Sequence, residues 1–364
     1  MATVLRDYSI IGPERERAIA RGLANAEWYH SPIPRARMKE LMQRSDWPAI
    51  PHTILWFALI LGFGALGVAT WGTWWAVPVF LIYGVLYGGS SDSRWHEAGH
   101  GTMFKTRWMN DWLYQIASFM ILREPTLWRW SHARHHTDTI IVGRDREIAV
   151  MTPAYIGGII LDLFNLRHGP ATIKAVLRHA FTGELNAEEK DYIPESEWPK
   201  VIREARIWVA IYAIVIGLSL WMWSLLPLML IGLPSFYGAW GYIFTGLTQH
   251  AGLAEDVLDH RLNSRTVYMN PVIRYLYLNM NYHVEHHMFP MVPYHRLPEL
   301  HEEMKADCPT PYPSIWAAYK EIIATAWRQQ REPTYFVRRQ LPPGARSYEG
   351  VIQAQQAAAA SPAE

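Results

Sequence analysis

Two long stretches of this chain carry no Asp, Glu, Lys or Arg: Trp47 to Ser91 and Ile207 to Ala254. Crossing a bilayer takes about 20 apolar residues, so each stretch is long enough for a helical hairpin. The pattern predicts four transmembrane helices at 53–71, 75–90, 207–225 and 227–247. A core helix of a soluble protein rarely runs so far without a charge. Trp71, Trp74 and Trp75 cluster at the first hairpin turn, and Trp221 and Trp223 lie near the second, where aromatic belts mark the lipid–water boundary. Both turns lack charge, whereas Arg44, Arg94, Lys105, Arg107, Arg203 and Arg206 flank the opposite ends. The positive-inside rule therefore puts both termini, and everything outside the hairpins, on the cytoplasmic side of an inner membrane.

The remaining segments follow from the same pattern. Residues 1–46 are polar and charged, which predicts a cytoplasmic arm rather than a cleavable signal peptide. A helix is expected around Glu14 to Tyr29, with a break at Pro32 and Pro34. Residues 47–330 read as one membrane domain, in which 91–206 form a large cytoplasmic segment. Its shorter apolar runs near 112–122 and 154–166 cannot cross and are expected to be interfacial or re-entrant. Leu297 to Trp327 reads as an amphipathic packing helix, and 331–364 as a tail that ends, disordered, in AAAASPAE. The predicted fold class is an all-α integral membrane protein, with four transmembrane helices in two hairpins beneath a helical cytoplasmic cap.

Bulk composition removes several functions. A net charge of +1 over 364 residues gives no basis for a nucleic-acid surface. The single cysteine, Cys308, rules out an intrachain disulfide and a cysteine-ligated iron–sulfur cluster, and reads as a packed or incidental thiol. The mean hydropathy of −0.07 suits a soluble protein only because it averages over segregated segments.

Histidine supplies the chemistry. Eight of the 16 histidines form three clusters: His96 and His100 in HEAGH, His132, His135 and His136 in HARHH, and His283, His286 and His287 in HVEHH. On a helix, positions i, i+3 and i+4 share a face, so each cluster aims its imidazoles at one point. Eight ligands are too many for one ion, which makes two neighbouring metals the economical reading. His250, just past the fourth predicted span, is a candidate ninth ligand, because an ionisable group at that boundary is a functional candidate by default. His30, His52, His168, His179, His260, His295 and His301 read as solvated or structural, with His295 the most arguable. Glu97, Asp138 and Glu285 are candidates to orient imidazoles from behind, and Asn279 and Asn281 to bond a ligand or a bound water.

Neutral imidazole suits iron, zinc, copper and nickel. A zinc hydrolase needs only three protein ligands and a water, whereas paired iron performs the redox chemistry of O2 activation. A site of that kind at the bilayer surface points to a substrate delivered from lipid, with the membrane helices and Trp128 to Trp130 expected to line its pocket.

HEAGH, WRWSHARHH followed by Thr137, and NYHVEHHMFP closely resemble the three histidine boxes of the membrane fatty acid desaturase and hydroxylase superfamily, which also includes alkane and xylene monooxygenases. The resemblance covers roughly residues 50–305. It implies a non-haem di-iron centre bound by the box histidines, O2 as co-substrate, and electrons from a separate carrier. His250 matches a further histidine that the family places after its fourth membrane helix. Three residues separate the first-box histidines, unlike the longer spacing of animal-type acyl-CoA desaturases, so the resemblance is nearer to bacterial and plant lipid desaturases. Neither a fused cytochrome b5 motif nor a Rieske or ferredoxin cysteine pattern is visible. An external donor is therefore implied: ferredoxin, or a Rieske-type or cytochrome b5-like carrier, with an NAD(P)H reductase. The stretch QHAGLAEDVLDHRLNSRTVYMNP is also similar to desaturase-like oxygenases of rhizopine catabolism.

The expected function is an O2-dependent oxidoreductase acting on unactivated C–H bonds, foremost a fatty acyl or lipid desaturase. Hydroxylation or oxidative demethylation is the alternative, since the outcome depends on substrate placement to about an ångström. A non-catalytic metal-binding membrane protein and a zinc hydrolase are the rivals from other classes.

Overall fold

The computed structural model describes residues 6–345, so the AAAASPAE terminus lies outside the described residues. Regular structure among them is helical, with only two isolated bridges, Thr266–Tyr282 and Val267–Tyr312.

Ala49–Thr70 is the one described helix long and apolar enough by itself to cross a membrane. Most of its apolar surface faces outward, including Ile54 and Leu61, which are more than half exposed. The second predicted span is a rod in three parts: an α-helix over Ala76–Gly84, a π-turn over Val85–Gly89, and an α-helix over Ser91–Gly99 that carries the first histidine box. The third predicted span belongs to Trp198–Trp221, which begins earlier than the apolar run and takes Lys200, Arg203, Glu204 and Arg206 into its first turns.

The fourth span departs from expectation. Residues 227–247 do not form one helix but three short ones, Leu226–Leu230, Pro234–Tyr237 and Trp240–His250. Gly232 at a φ of 103° and Pro234 interrupt the hydrogen-bond ladder, which a search for charge-free residues does not register. This broken segment lies directly against the π-turn of the rod. A Cβ on Gly88 would sit 2.4 Å from the Pro234 carbonyl oxygen, and one on Gly89 3.2 Å from Gly241 Cα. Small residues let the two backbones touch, and they place the first-box helix beside the helix that ends in His250.

Two other expectations change, and the 112–122 run gains a packing partner. Arg107–Met120, which covers most of the 112–122 run, buries Leu113, Tyr114 and Ala117 in the main core against Trp95 and Ala98 of the first-box helix, and leaves Trp108 and Trp112 more than half exposed on its other side. The packing helix expected over Leu297 to Trp327 is two helices, Leu297–Met304 and Ile315–Gln329, separated by prolines at 309, 311 and 313. The N-terminal segment is helical over Pro13–Ala20 and Arg35–Leu41, not continuously from Glu14 to Tyr29. It is held against the body: Ile10, Leu23 and Leu41 are buried, and Asp256 accepts from Arg6 and Arg21 at 2.6 and 2.9 Å and from the Val142 amide at 2.9 Å.

Candidate metal centre

Four segments bring nine imidazoles together. His96 lies on Ser91–Gly99 and His100 caps it; His132, His135 and His136 lie on Pro125–Thr137. His250 ends Trp240–His250, and His283, His286 and His287 share the short helix His283–Met288. The i, i+3, i+4 spacing turns each cluster inward, and packing of the helices on one another closes the site.

The rings fall into two neighbouring sets. Donor atoms of His96, His100, His132, His136 and His286 all lie within 4.8 Å of one another, as do those of His135, His250 and His287. His283 joins the second set, its Nε2 being 3.0 Å from Nε2 of both His250 and His287. The sets adjoin, with the His136 and His287 rings stacked at 4.4 Å. All nine histidines singled out from the sequence are therefore in this one cluster.

Tautomers show what the cluster is built to hold. His132 Nδ1 lies 2.9 Å from the Glu147 carboxylate, His135 Nδ1 2.8 Å from Asp145, and His250 Nδ1 2.7 Å from the Asn263 carbonyl. Each partner only accepts, so each Nδ1 carries the proton and each Nε2 presents a lone pair. His132 Nε2 then faces His100 Nε2 and His136 Nε2, both at 3.2 Å, and His286 Nε2 faces His96 Nε2 at 3.0 Å. No partner among the described residues takes Nδ1 of His136, His283 or His286, so nothing turns their Nε2 atoms away from the shared centre, where a cation would bind them. The donor set therefore fits metal ions of the imidazole-preferring kind.

Electrostatics agree with that fit. Burial, reinforced by neighbouring imidazoles, holds His96, His100, His136, His283, His286 and His287 well below the usual histidine range, so these rings are neutral and able to coordinate. Glu147 is held down at about 2: burial opposes its charge, but His132 first, then His135 and Arg123, outweigh that. His135 is the exception: burial lowers it, but Asp145 outweighs burial and favours the protonated ring, so a cation binding at its Nε2 would displace that proton.

The carboxylates expected from sequence to orient the rings do something else. Glu97 accepts from the Tyr294 amide at 2.9 Å, Asp138 pairs with Arg144 at 3.1 Å, and Glu285 binds Thr266 and His301 at 2.6 and 2.5 Å. Asn279 and Asn281 donate to the carbonyls of Tyr294 and Val267. The orienting role falls to Asp145 and Glu147, reached by a loop that returns to the second-box helix, and no periodicity in the sequence links positions ten and fifteen residues apart. His260 is the other residue that sequence reasoning passes over: it is buried, stacked on Trp28 at 4.3 Å, with its ring 5.2 Å from His287. The remaining scattered histidines include two structural ones, His179 between Glu124 and Glu189, and His301 between Glu285 and Tyr268. Trp128 packs edge-on against Trp95 at 5.9 Å, and Trp95 lies 5.1 Å from His132, closing this flank of the cluster.

A family model described as fatty acid desaturase matches residues 72–319. Among curated relatives, the chain is 22% identical over 298 residues to a chloroplastic omega-3 fatty acid desaturase of Sesamum indicum, covering 76% of this chain and 65% of the relative. It is 32% identical over 105 residues to an sn-1 acyl-lipid omega-3 desaturase (ferredoxin) of Synechocystis sp., covering 28% and 29% of the two chains. It is 22% identical over 289 residues to a chloroplastic sn-2 acyl-lipid omega-3 desaturase (ferredoxin) of Helianthus annuus, covering 73% and 64%. The chain thus spans less than two thirds of the length of each of these relatives.

Proposed function

This chain belongs to the fatty acid desaturase family, and on that premise we propose that it is a membrane-bound, O2-dependent di-iron oxidoreductase that removes hydrogen from an acyl chain to form a double bond. The observation that carries this reading is the convergence of nine imidazoles into two adjoining sets whose Nε2 atoms face one another. His96, His100, His132, His136 and His286 would hold one iron, and His135, His250, His283 and His287 the other. Bound iron would supply the redox steps of O2 activation, for which zinc is unsuited.

The chain's own groups prepare the site. Asp145 and Glu147 keep protons on Nδ1 and leave Nε2 free, and their negative charge offsets that of cations bound by neutral rings. Trp95 and Tyr114, both buried, wall off water behind His132.

In this reading, four membrane-crossing segments form two hairpins of the domain 47–330, and the arm, both termini and the histidines are cytoplasmic at an inner membrane. Support comes from the rod that separates Trp75 from His96 by roughly 30 Å at 1.5 Å per residue. At its far end Trp74 is 91% exposed, and Trp223 in the second turn is 96% exposed, as interfacial indoles would be. The electron donor is an external carrier, ferredoxin in the first instance, with an NAD(P)H reductase.

The test supplies purified protein in lipid with O2, NADPH, ferredoxin and its reductase, then analyses acyl chains by mass spectrometry. New unsaturation and close to two irons per chain are expected, and His135→Ala or His286→Ala should abolish the product while leaving membrane insertion intact. Retained turnover in either variant refutes the ligand assignment. A new hydroxyl group would move the reading to oxygen insertion, and zinc without O2 consumption would refute it.

A further inference from the structure

A cavity of about 140 Å³ opens beside the second histidine set, between the helices Ile156–Asp162 and Ile315–Gln329 and the C-terminal end of Trp240–His250. Leu247 and Ala251, which line it, lie three residues before and one residue after His250. The cavity is therefore within one helical turn of a proposed iron ligand.

Its chemistry is uniform. Aliphatic side chains of Ile156, Ile159, Leu247, Ile322 and Ala326 form most of the wall. The polar groups nearby are committed elsewhere. Tyr319 donates its hydroxyl to the Phe244 carbonyl at 2.6 Å, and Gln329 accepts from the Ala154 amide and donates to the Tyr335 carbonyl. The carbonyls of Ala251 and Gly252 are taken by Arg265 and the Val337 amide. A polar ligand would find few partners here and would forfeit its hydration, whereas an apolar one is favoured by the area it removes from water. Comparable aliphatic cavities of roughly 150 Å³ stay dry and accept a small hydrocarbon.

The outer rim is apolar as well. Ile160, Ile323 and Trp327 are 57%, 53% and 63% exposed around the same helices. With the two helices at the bilayer surface, that rim faces acyl chains rather than water.

We propose that this cavity grips a segment of an alkyl chain approaching sideways from the bilayer, and that the chain reaches the metal centre past Leu247 and Ala251 on the His250 side. The inference rests on the desaturase reading for its substrate class but makes a separate claim about route. The cavity holds only a few methylenes, and the rest of the chain lies along the exposed rim. Free fatty acid and an esterified glycerolipid present the same alkyl chain.

Photo-crosslinking separates the possibilities. Holoprotein in nanodiscs is irradiated with palmitic acid carrying a chain diazirine, or with phosphatidylcholine esterified with that acid, and labelled peptides are mapped. Label on 319–327 or 156–160 from either probe is expected, the labelling probe identifying the source, and Ala326→Trp should remove it at least tenfold while iron content and melting temperature stay unchanged. Should that variant misfold, Ile159→Trp fills the cavity from the facing helix. Label confined to other helices, or undiminished by both filling substitutions, overturns the proposal. If label appears here but no oxidised product ever forms, the desaturase reading fails and the cavity assignment stands. If product forms at wild-type rates in the filled variants without label here, the route fails and the function stands.

Discussion

The distance between the helices carrying His96 and His250 is set by glycine, and Gly238→Ala tests this directly. A Cβ introduced at Gly238 would lie 2.0 Å from the Gly84 oxygen, 2.4 Å from its carbonyl carbon and 2.8 Å from its Cα. These are backbone atoms, so no side chain can swing away. Non-bonded contacts are most favourable near 3.5 Å, so the two segments must part by roughly 1.5 Å at this point. Overpacking of this kind costs about 1–3 kcal/mol. Metal sites tolerate about 0.2 Å in ligand distance, so even a fraction of that movement, passed along the rod to His96 or along Trp240–His250 to His250, should weaken metal binding. Gly238 has a φ of −96°, which alanine adopts freely, so backbone strain does not contribute. Gly246 supplies the control: it lies on the helix that ends in His250, and a Cβ there meets nothing within 4 Å. The assay pairs the melting temperature in detergent with metal per chain by elemental analysis. Gly238→Ala should melt lower and carry less metal, and Gly246→Ala should match wild type. A Gly238→Ala protein with wild-type melting and metal content would show that the glycine contact does not set the geometry of the centre.

Other outcomes follow from neighbouring contacts. Glu147→Ala frees the His132 ring from its orienting carboxylate, and chelator competition should find metal affinity lower by about 10–100-fold; unchanged affinity would count against that role. His179, fully buried between Glu124 and Glu189, is raised to about 9 because the two carboxylates outweigh the effect of burial. Removing it leaves the carboxylates facing each other, so His179→Ala should lose about 3–5 kcal/mol in denaturant melts. The raised value means that this contribution is complete below the ordinary histidine value of about 6.5 and is lost as pH climbs towards 9. Wild-type melting should therefore fall between about pH 7 and 9 more steeply than that of His179→Gln, and parallel curves would refute the assignment.

The site was more legible in the sequence than the course of the apolar segments. Ligands on one helix repeat at intervals that coincide with its turns, so HEAGH, HARHH and HVEHH announce themselves. Nothing periodic connects His132 to Glu147 or His135 to Asp145, because a loop returns those carboxylates to the ring nitrogens. The neighbouring acids that the sequence offered as candidates, Glu97, Asp138 and Glu285, bind backbone or other side chains. Counting apolar residues found the stretch 227–247 but not its interruption, since Gly232 and Pro234 are as uncharged as the leucines around them.

What the chain determined on its own is local: which imidazoles share a helical face, where charge is excluded, and which residues cannot continue a helix. Those properties depend on a few neighbouring positions and on 3.6-residue periodicity. Tertiary structure alone decided the rest. It split nine rings into sets of five and four, assigned Asp145 and Glu147 to hold them, and pressed Gly84 against Gly238. Each of these depends on the closest approach of segments far apart in the chain, which packing settles atom by atom and which no local pattern encodes.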